Sequence, residues 1–244
     1  MTCGKQIKAE AVIFDKDGTL IEFDAFWVSL SLAAMKAVLQ QLNQNEMLLG
    51  EILEAFGVHN GETDINSVLC KGTYAQMAEI IHTILEHHGC TISLKELENK
   101  VREAYNIHTQ AGEVKATCTN LREVLQTLKN KGKKIAVITT DNKQVTLFCL
   151  EKLGIADLFD KIYTDDGDIP AKPHPDSAFD FCKTFDICQE NIVMVGDTMT
   201  DILFAHNSGI GMVAVAKSEK NKQILSKETE IVIHDVSELL EILE

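Results

Sequence analysis

AVIFDKDGTLIEFD, residues 11–24, runs an apolar tetrapeptide straight into two aspartates, Asp15 and Asp17, separated by a lysine and followed by Gly18-Thr19. A short β-branched-rich run without polar alternation reads as a strand buried on both faces, as in a parallel sheet. Similar runs recur at KIAVIT (134–139), KIYT (161–164), NIVMVG (191–196) and GMVAVA (211–216), with a weaker sixth in IVIH (231–234). Between the later ones lie helical patterns: LREVLQTLKNKG closing on Gly132, KQVTLFCLEKLG closing on Gly154, and PDSAFDFCKTF. The closing glycines are helix stop signals. Strands alternating with helices predict an α/β fold, a doubly wound parallel sheet.

The first strand ends near Phe14 and the second begins near Lys134. A parallel crossover needs about one helix, not a hundred residues. The excess is helical in pattern: Phe26, Leu30, Ala33 and Ala37 share one face, and further helices are expected around 46–56, 73–88 and 93–108. An all-helical cap domain inserted at 23–113 follows, leaving 1–22 and 114–244 as the α/β core.

Composition narrows the function. The 244-residue chain is 45% hydrophobic and 25% charged, with a formal net charge of −14. Such acidity argues against nucleic acid, whose binding rests on Lys and Arg neutralising phosphates. Seven scattered cysteines (3, 70, 90, 118, 149, 182 and 188) form no CxxC pair and fit reduced thiols in a cytoplasmic protein. MTCGKQIKAEAVIFD lacks a signal-peptide core, and no apolar run reaches membrane-spanning length.

Ligands bind open parallel sheets at the carboxyl ends of the strands, so the residues just past each strand matter most. After the first come Asp15-Lys16-Asp17-Gly18-Thr19, which alone would pass for an Asp-Gly turn. After the second come Thr139-Thr140-Asp141-Asn142, good helix caps that also suit a phosphate. After the third, DDGDIPAKPHPD gathers the chain's only three prolines around Lys172 and stiffens the backbone that carries it. After the fourth come Gly196-Asp197-Thr198-Met199-Thr200-Asp201, with two acids four apart. Carboxylates gathered from two strand ends require a cation.

This set resembles the haloacid dehalogenase superfamily, specifically its phosphatases with a helical cap inserted after the first motif. DKDGT matches motif one, Thr139 motif two, Lys172-Pro173 motif three and GDTMTD motif four, while FAHNSGIGMVAV is similar to the segment that follows in phosphoglycolate-phosphatase-like members. Two features depart from the pattern: VKATCTN (114–120) lacks the usual Pro-Gly, and Asp141 adds an acid near a phosphate site, where it must point away.

The resemblance implies a Rossmann-like core and Mg²⁺-dependent hydrolysis of a small phosphate monoester through an aspartyl-phosphate. Asp15 is then the nucleophile and Asp17 the general acid and base. Thr139, Thr140 and Lys172 hold the phosphoryl oxygens. Asp15, the backbone carbonyl of Asp17 and Asp197 bind Mg²⁺, and Asp201 steadies a metal water or Lys172. A small soluble metabolite, phosphoglycolate first, is the expected partner, with a cap that closes over it. Two alternatives stay open: a sugar phosphomutase using the same nucleophile, and a non-catalytic binding or regulatory member.

Other patterns carry less. GIGMVA (209–214) leads into a strand, the reverse of the order a dinucleotide site needs. His82, His87 and His88 are not spaced to share a helix face and read as solvated, and Lys71-Gly72-Thr73 is an exposed loop of the cap.

Overall fold

A computed structural model describes residues 6–64 and 67–244. Strand β1 is Ala11–Phe14, buried along its whole length. The insertion that follows contains α1 (Phe23–Gln41), α2 (Leu48–Ala55), the two-residue strands β2 (Val58–His59) and β3 (Glu62–Thr63), α3 (Val68–Lys71), α4 (Tyr74–His87) and α5 (Leu94–His108). The chain then alternates α6 (Leu121–Asn130), β4 (Lys134–Ile138), α7 (Lys143–Lys152), β5 (Lys161–Tyr163), α8 (Asp176–Phe185) and β6 (Ile192–Gly196). It ends with α9 (Met199–Ser208), β7 (Gly211–Val215), α10 (Glu219–Leu225), β8 (Val232–Ile233) and α11 (Leu239–Ile242).

Six strands form one sheet in the order β5-β4-β1-β6-β7-β8, with every pairing parallel. Strand order reverses on either side of β1, and that reversal is where an open α/β sheet forms its binding crevice. Apolar side chains of β1, β4 and β6 pack against α8 and α9 through Ala178, Phe181, Phe204 and Ala205. The helix ends follow local chemistry. Asn142 caps α7 by accepting from the Val145 amide, and Gly132, Gly154 and Gly209 sit at positive φ just past α6, α7 and α9. At the end of α8 the left-handed position falls to Asp186.

Two compact units result: the described residues up to Glu22 with Lys115–Glu244, and Phe23–Val114. In the first, the outgoing and returning segments are stitched together by an antiparallel bridge between Ile21 and Ala116 and by the Thr117 hydroxyl donating to Thr19 O at 2.6 Å. These bonds hold the returning segment where a Pro-Gly is usual. In the second unit, α4 buries Met77, Ala78, Ile81, Ile84 and Leu85, and α5 buries Leu97, Val101, Ala104 and Tyr105, each a helical stripe. The stripe of α1 runs through Phe26, Leu30, Ala34 and Val38, with Ala33 and Ala37 only half-buried at its edge. Helix α1 is apolar on nearly every side, so spacing alone does not fix its inner face.

One addition to the helical reading of the insertion is the β2–β3 ribbon, turned by Asn60-Gly61 with φ of 55° and 84°. Two successive positive φ values are what a two-residue hairpin turn requires. Among the described residues no helix is long and apolar enough to cross a membrane. Cys90, Cys118, Cys149, Cys182 and Cys188 are free thiols, whereas Cys3 lies outside the described residues.

Candidate active site

Three carboxylates meet at the carboxyl end of the sheet: Asp15 past β1, and Asp197 and Asp201 at the end of β6 and the start of α9. Ligand oxygens of all three lie within 4.8 Å of one another. Lys172 joins them from the loop after β5, its ammonium 2.5 Å from Asp15 Oδ1 and 2.5 Å from Asp201 Oδ1. The lysine side chain is 2% exposed, and the peptide to Pro173 is cis.

Local geometry explains how the acids come so close. After β1 the chain curls, with Leu20 N and Ile21 N both donating to Lys16 O and Gly18 at φ 80°. A Cβ on Gly18 would stand 2.1 Å from Asp197 Oδ2, and one on Gly196 would stand 2.4 Å from Asp201 Cγ. Each aspartate therefore occupies the space of a missing methyl group. Thr198 and Asp201 form a reciprocal capping box that opens α9. Asp201 Oδ2 thereby takes the Thr198 amide at 3.0 Å and hydroxyl at 2.7 Å, while its Oδ1 takes Lys172.

Both oxygens of Asp201 are thus engaged, whereas among the described residues Asp15 and Asp197 each engage only Oδ1 in a hydrogen bond. Thr19 orients Asp197 by donating its hydroxyl to Oδ1 at 3.1 Å.

The electrostatics of this group are unbalanced. Burial pushes the carboxyl of Asp15 up to about 7, with Lys172 opposing and Asp201 and Asp17 adding to the shift. Burial and the charge of Asp15 hold Asp197 well above the usual carboxylate range. On Lys172, burial alone would lower the ammonium, but Asp15 and Asp201 overrule it and hold it above its usual range. One ammonium does not neutralise three clustered acids. Hard carboxylate oxygens with an unmet need for positive charge are the donor set that fits Mg²⁺.

The remaining expected residues are arranged differently. The Asp17 carboxylate stands outside the cluster: its Oδ1 accepts from the buried Lys16 ammonium at 2.7 Å. The metal reading assigns the Asp17 backbone carbonyl, a different atom. Thr139 is buried at the end of β4, and its hydroxyl accepts from Asp141 N at 3.2 Å. Thr140 is exposed. Among the described residues no hydrogen bond or ion pair joins either threonine to the Asp15–Lys172–Asp201 group. A cavity of about 330 Å³ has Thr139, Tyr163, Ala171 and Ser177 in its wall, but neither Lys172 nor any of the three clustered carboxylates.

Sequence reasoning passed over Thr19 and Thr198, although hydroxyls beside clustered acids are a fair signal. It also passed over Lys16, a lysine directly after a buried strand. Asp141 does point into a partnership, lying 3.1 Å from the Lys16 ammonium. Two of the three histidines find partners. His82 pairs with Ile92 O and Glu86, and His88 with Glu51. Thr73 forms a capping box with Gln76 at the start of α4.

Comparison with known proteins supplies the family. The model of the haloacid dehalogenase-like hydrolases matches residues 9–209. The chain is 26% identical over 240 residues to the pyrophosphatase PpaX of Bacillus mycoides, covering 97% of this chain and 98% of that one. It is 31% identical over 126 residues to a phosphoglycolate phosphatase of Pasteurella multocida, covering 51% of this chain and 56% of that one. The crystal structure of a predicted phosphoglycolate phosphatase from Haemophilus somnus superposes with a TM-score of 0.72 at 20% identity, covering 96% of this chain and 97% of that one. With a family match spanning both ends of the carboxylate cluster and most of its length, this chain belongs to the haloacid dehalogenase-like hydrolases.

Proposed function

We propose that this protein hydrolyses small phosphate esters, with Asp15 as nucleophile and Mg²⁺ as cofactor. The observation that carries this reading is the Lys172 ammonium held 2.5 Å from both Asp15 and Asp201, within a buried acidic cluster.

In the first half-reaction an Asp15 oxygen bonds to phosphorus as the P–O bond to the leaving group breaks. Asp17 gives that leaving oxygen its proton. In the second, Asp17 takes a proton from a water whose oxygen bonds to phosphorus, which releases phosphate and restores Asp15. Lys172 keeps one Asp15 oxygen fixed and supplies positive charge to the phosphoryl group as charge redistributes. The Thr139 hydroxyl, set at the end of β4, is placed to donate to a phosphoryl oxygen, with Thr140 beside it. Asp15, the Asp17 carbonyl and Asp197 hold Mg²⁺. When bound, the ion screens the repulsion between an anionic nucleophile and an anionic substrate.

The first substrates to try are the ester phosphoglycolate and the anhydride pyrophosphate, named for the two relatives above. The test is a phosphate-release screen of metabolite esters with Mg²⁺ or EDTA, beside Asp15→Asn. Wild type turns over with Mg²⁺ and stops in EDTA. The Asp15→Asn variant keeps its fold, releases at least about 10³-fold less phosphate and takes up no acid-stable covalent phosphate. Unchanged turnover in that variant defeats the nucleophile assignment.

A further inference from the structure

A second buried ammonium lies on the other side of the two first-motif aspartates. The Lys16 side chain is 0% exposed, its nitrogen 2.7 Å from Asp17 Oδ1 and 3.1 Å from Asp141 Oδ2. Asp141 is the fixed end of this chain of contacts. Its Oδ1 accepts from Asn142 N at 2.8 Å, its own amide donates to Thr139 Oγ1 at 3.2 Å, and its carbonyl accepts from Asp165 N at 2.9 Å. The Asp141 Oδ2 contact with Lys16 is an ion pair without a well-aligned hydrogen bond. The Lys16 ammonium is therefore shared, held more closely by Asp17 and drawn toward Asp141.

Lysine is among the costliest residues to bury, and one placed between two carboxylates is tolerated only because they compensate it. Lys16 and Asp141 together add no net charge to the site. Remove Asp141, and the pull on the ammonium away from Asp17 from that side is lost. Remove Lys16, and two half-buried acids lose the cation between them. Each residue makes sense in the presence of the other.

We infer that Lys16 and Asp141 are a positioning pair that sets where the carboxyl of Asp17 stands. Lys16 grips Oδ1, and Oδ2 is left as the oxygen that exchanges a proton with the leaving group. This rests on the reading of Asp17 as general acid and base. It adds a requirement that the Asp15–Lys172 cluster does not contain.

Leaving-group dependence tests the pair. A p-nitrophenolate departs with little help, whereas phenolate and still more an aliphatic alkoxide need a proton. The values of kcat/KM for p-nitrophenyl phosphate, phenyl phosphate and an aliphatic monoester are measured for wild type, Lys16→Leu, Asp141→Asn and the double variant.

Each single variant loses about 10-fold or more on the aliphatic ester and about 3-fold or less on p-nitrophenyl phosphate, which steepens the dependence on leaving-group basicity. The double variant loses less than the product of the single losses, because the two side chains act as a unit. If Lys16→Leu fails to fold with two acids uncompensated, Asp141→Asn and the charge-neutral double variant carry the comparison.

Equal losses on all three esters, no loss in Asp141→Asn, or strictly multiplicative losses each overturn the inference. Failure of the underlying reading looks different: wild type releases no phosphate from any ester, or Asp15→Asn retains turnover.

Discussion

Replacing Lys172 with methionine removes the one ammonium that bridges Asp15 and Asp201 and keeps a side chain of similar length. The lysine is 2% exposed, and its partners are 10% and 0% exposed. Deleting one member of a buried ion pair costs about 3–5 kcal/mol, since the other member is left uncompensated. For a chain of this size that lowers Tm by roughly 6–20 °C.

The pH dependence separates charge from packing. The folded-state pKa of Lys172 is raised from 10.5, so its stabilisation is complete below that value and is lost only at higher pH. Asp15 is raised from 3.8 to about 7, so its folded form binds the extra proton and the protein loses stability as pH climbs through that window. Without Lys172 the carboxyl holds its proton still more firmly. The deficit of Lys172→Met relative to wild type is therefore largest at pH 8, shrinks at pH 5, and narrows at pH 8 when Mg²⁺ is added.

Thermal unfolding at both pH values, with Mg²⁺ or EDTA, gives the comparison. Phosphate release falls about 10²–10³-fold in parallel. A deficit equal at pH 5 and pH 8 would mean that lost packing, not charge, was measured. No deficit would refute the bridge.

Gly18→Ala drives a methyl into Asp197 and forces an L residue to φ 80°, at roughly 1–2 kcal/mol for the backbone alone. It is expected to weaken Mg²⁺ binding and cut turnover about 100-fold while circular dichroism is unchanged. Mg²⁺ binding to the metal-free protein releases protons near pH 6.5, because burial raises the Asp15 carboxyl to about 7 and leaves it partly protonated there. Calorimetry in buffers of different ionisation enthalpy reads the number released, which falls in Asp15→Asn. In the inserted unit the buried Tyr105 hydroxyl and Ser31 hydroxyl are 2.6 Å apart. Tyr105→Phe leaves Ser31 without that partner and costs about 1–3 kcal/mol in denaturant unfolding, whereas adding Ser31→Ala restores most of it.

The α/β sheet was legible because strands buried on both faces have no polar residues to break the run, as AVIF and IVMVG show. The carboxyl-end rule then pointed at Asp15, Lys172, Asp197 and Asp201 without knowledge of strand order. What escaped depends on three-dimensional proximity. Lys16 and Asp141 lie on different strands' exits, and nothing local reveals that one compensates the other. On α1 the sequence placed Phe26 and Leu30 on the inner face but missed Ala34 and Val38, since Trp27, Val28 and Leu32 lie outside the buried stripe and are as apolar as residues within it. The Asn60-Gly61 ribbon was written in the sequence as a hairpin turn, but strands of two residues are too short to show a period.

Gly18 and Gly196 carry no side chain, yet each marks the volume that a carboxylate fills. Selection for a stable core has little use for either vacancy, whereas turnover needs both. A descendant that kept the architecture but abandoned chemistry would be released from these two restrictions early. Alanine or serine at either place in a homologue would then label a retired enzyme, even one whose aspartates and lysine were still intact.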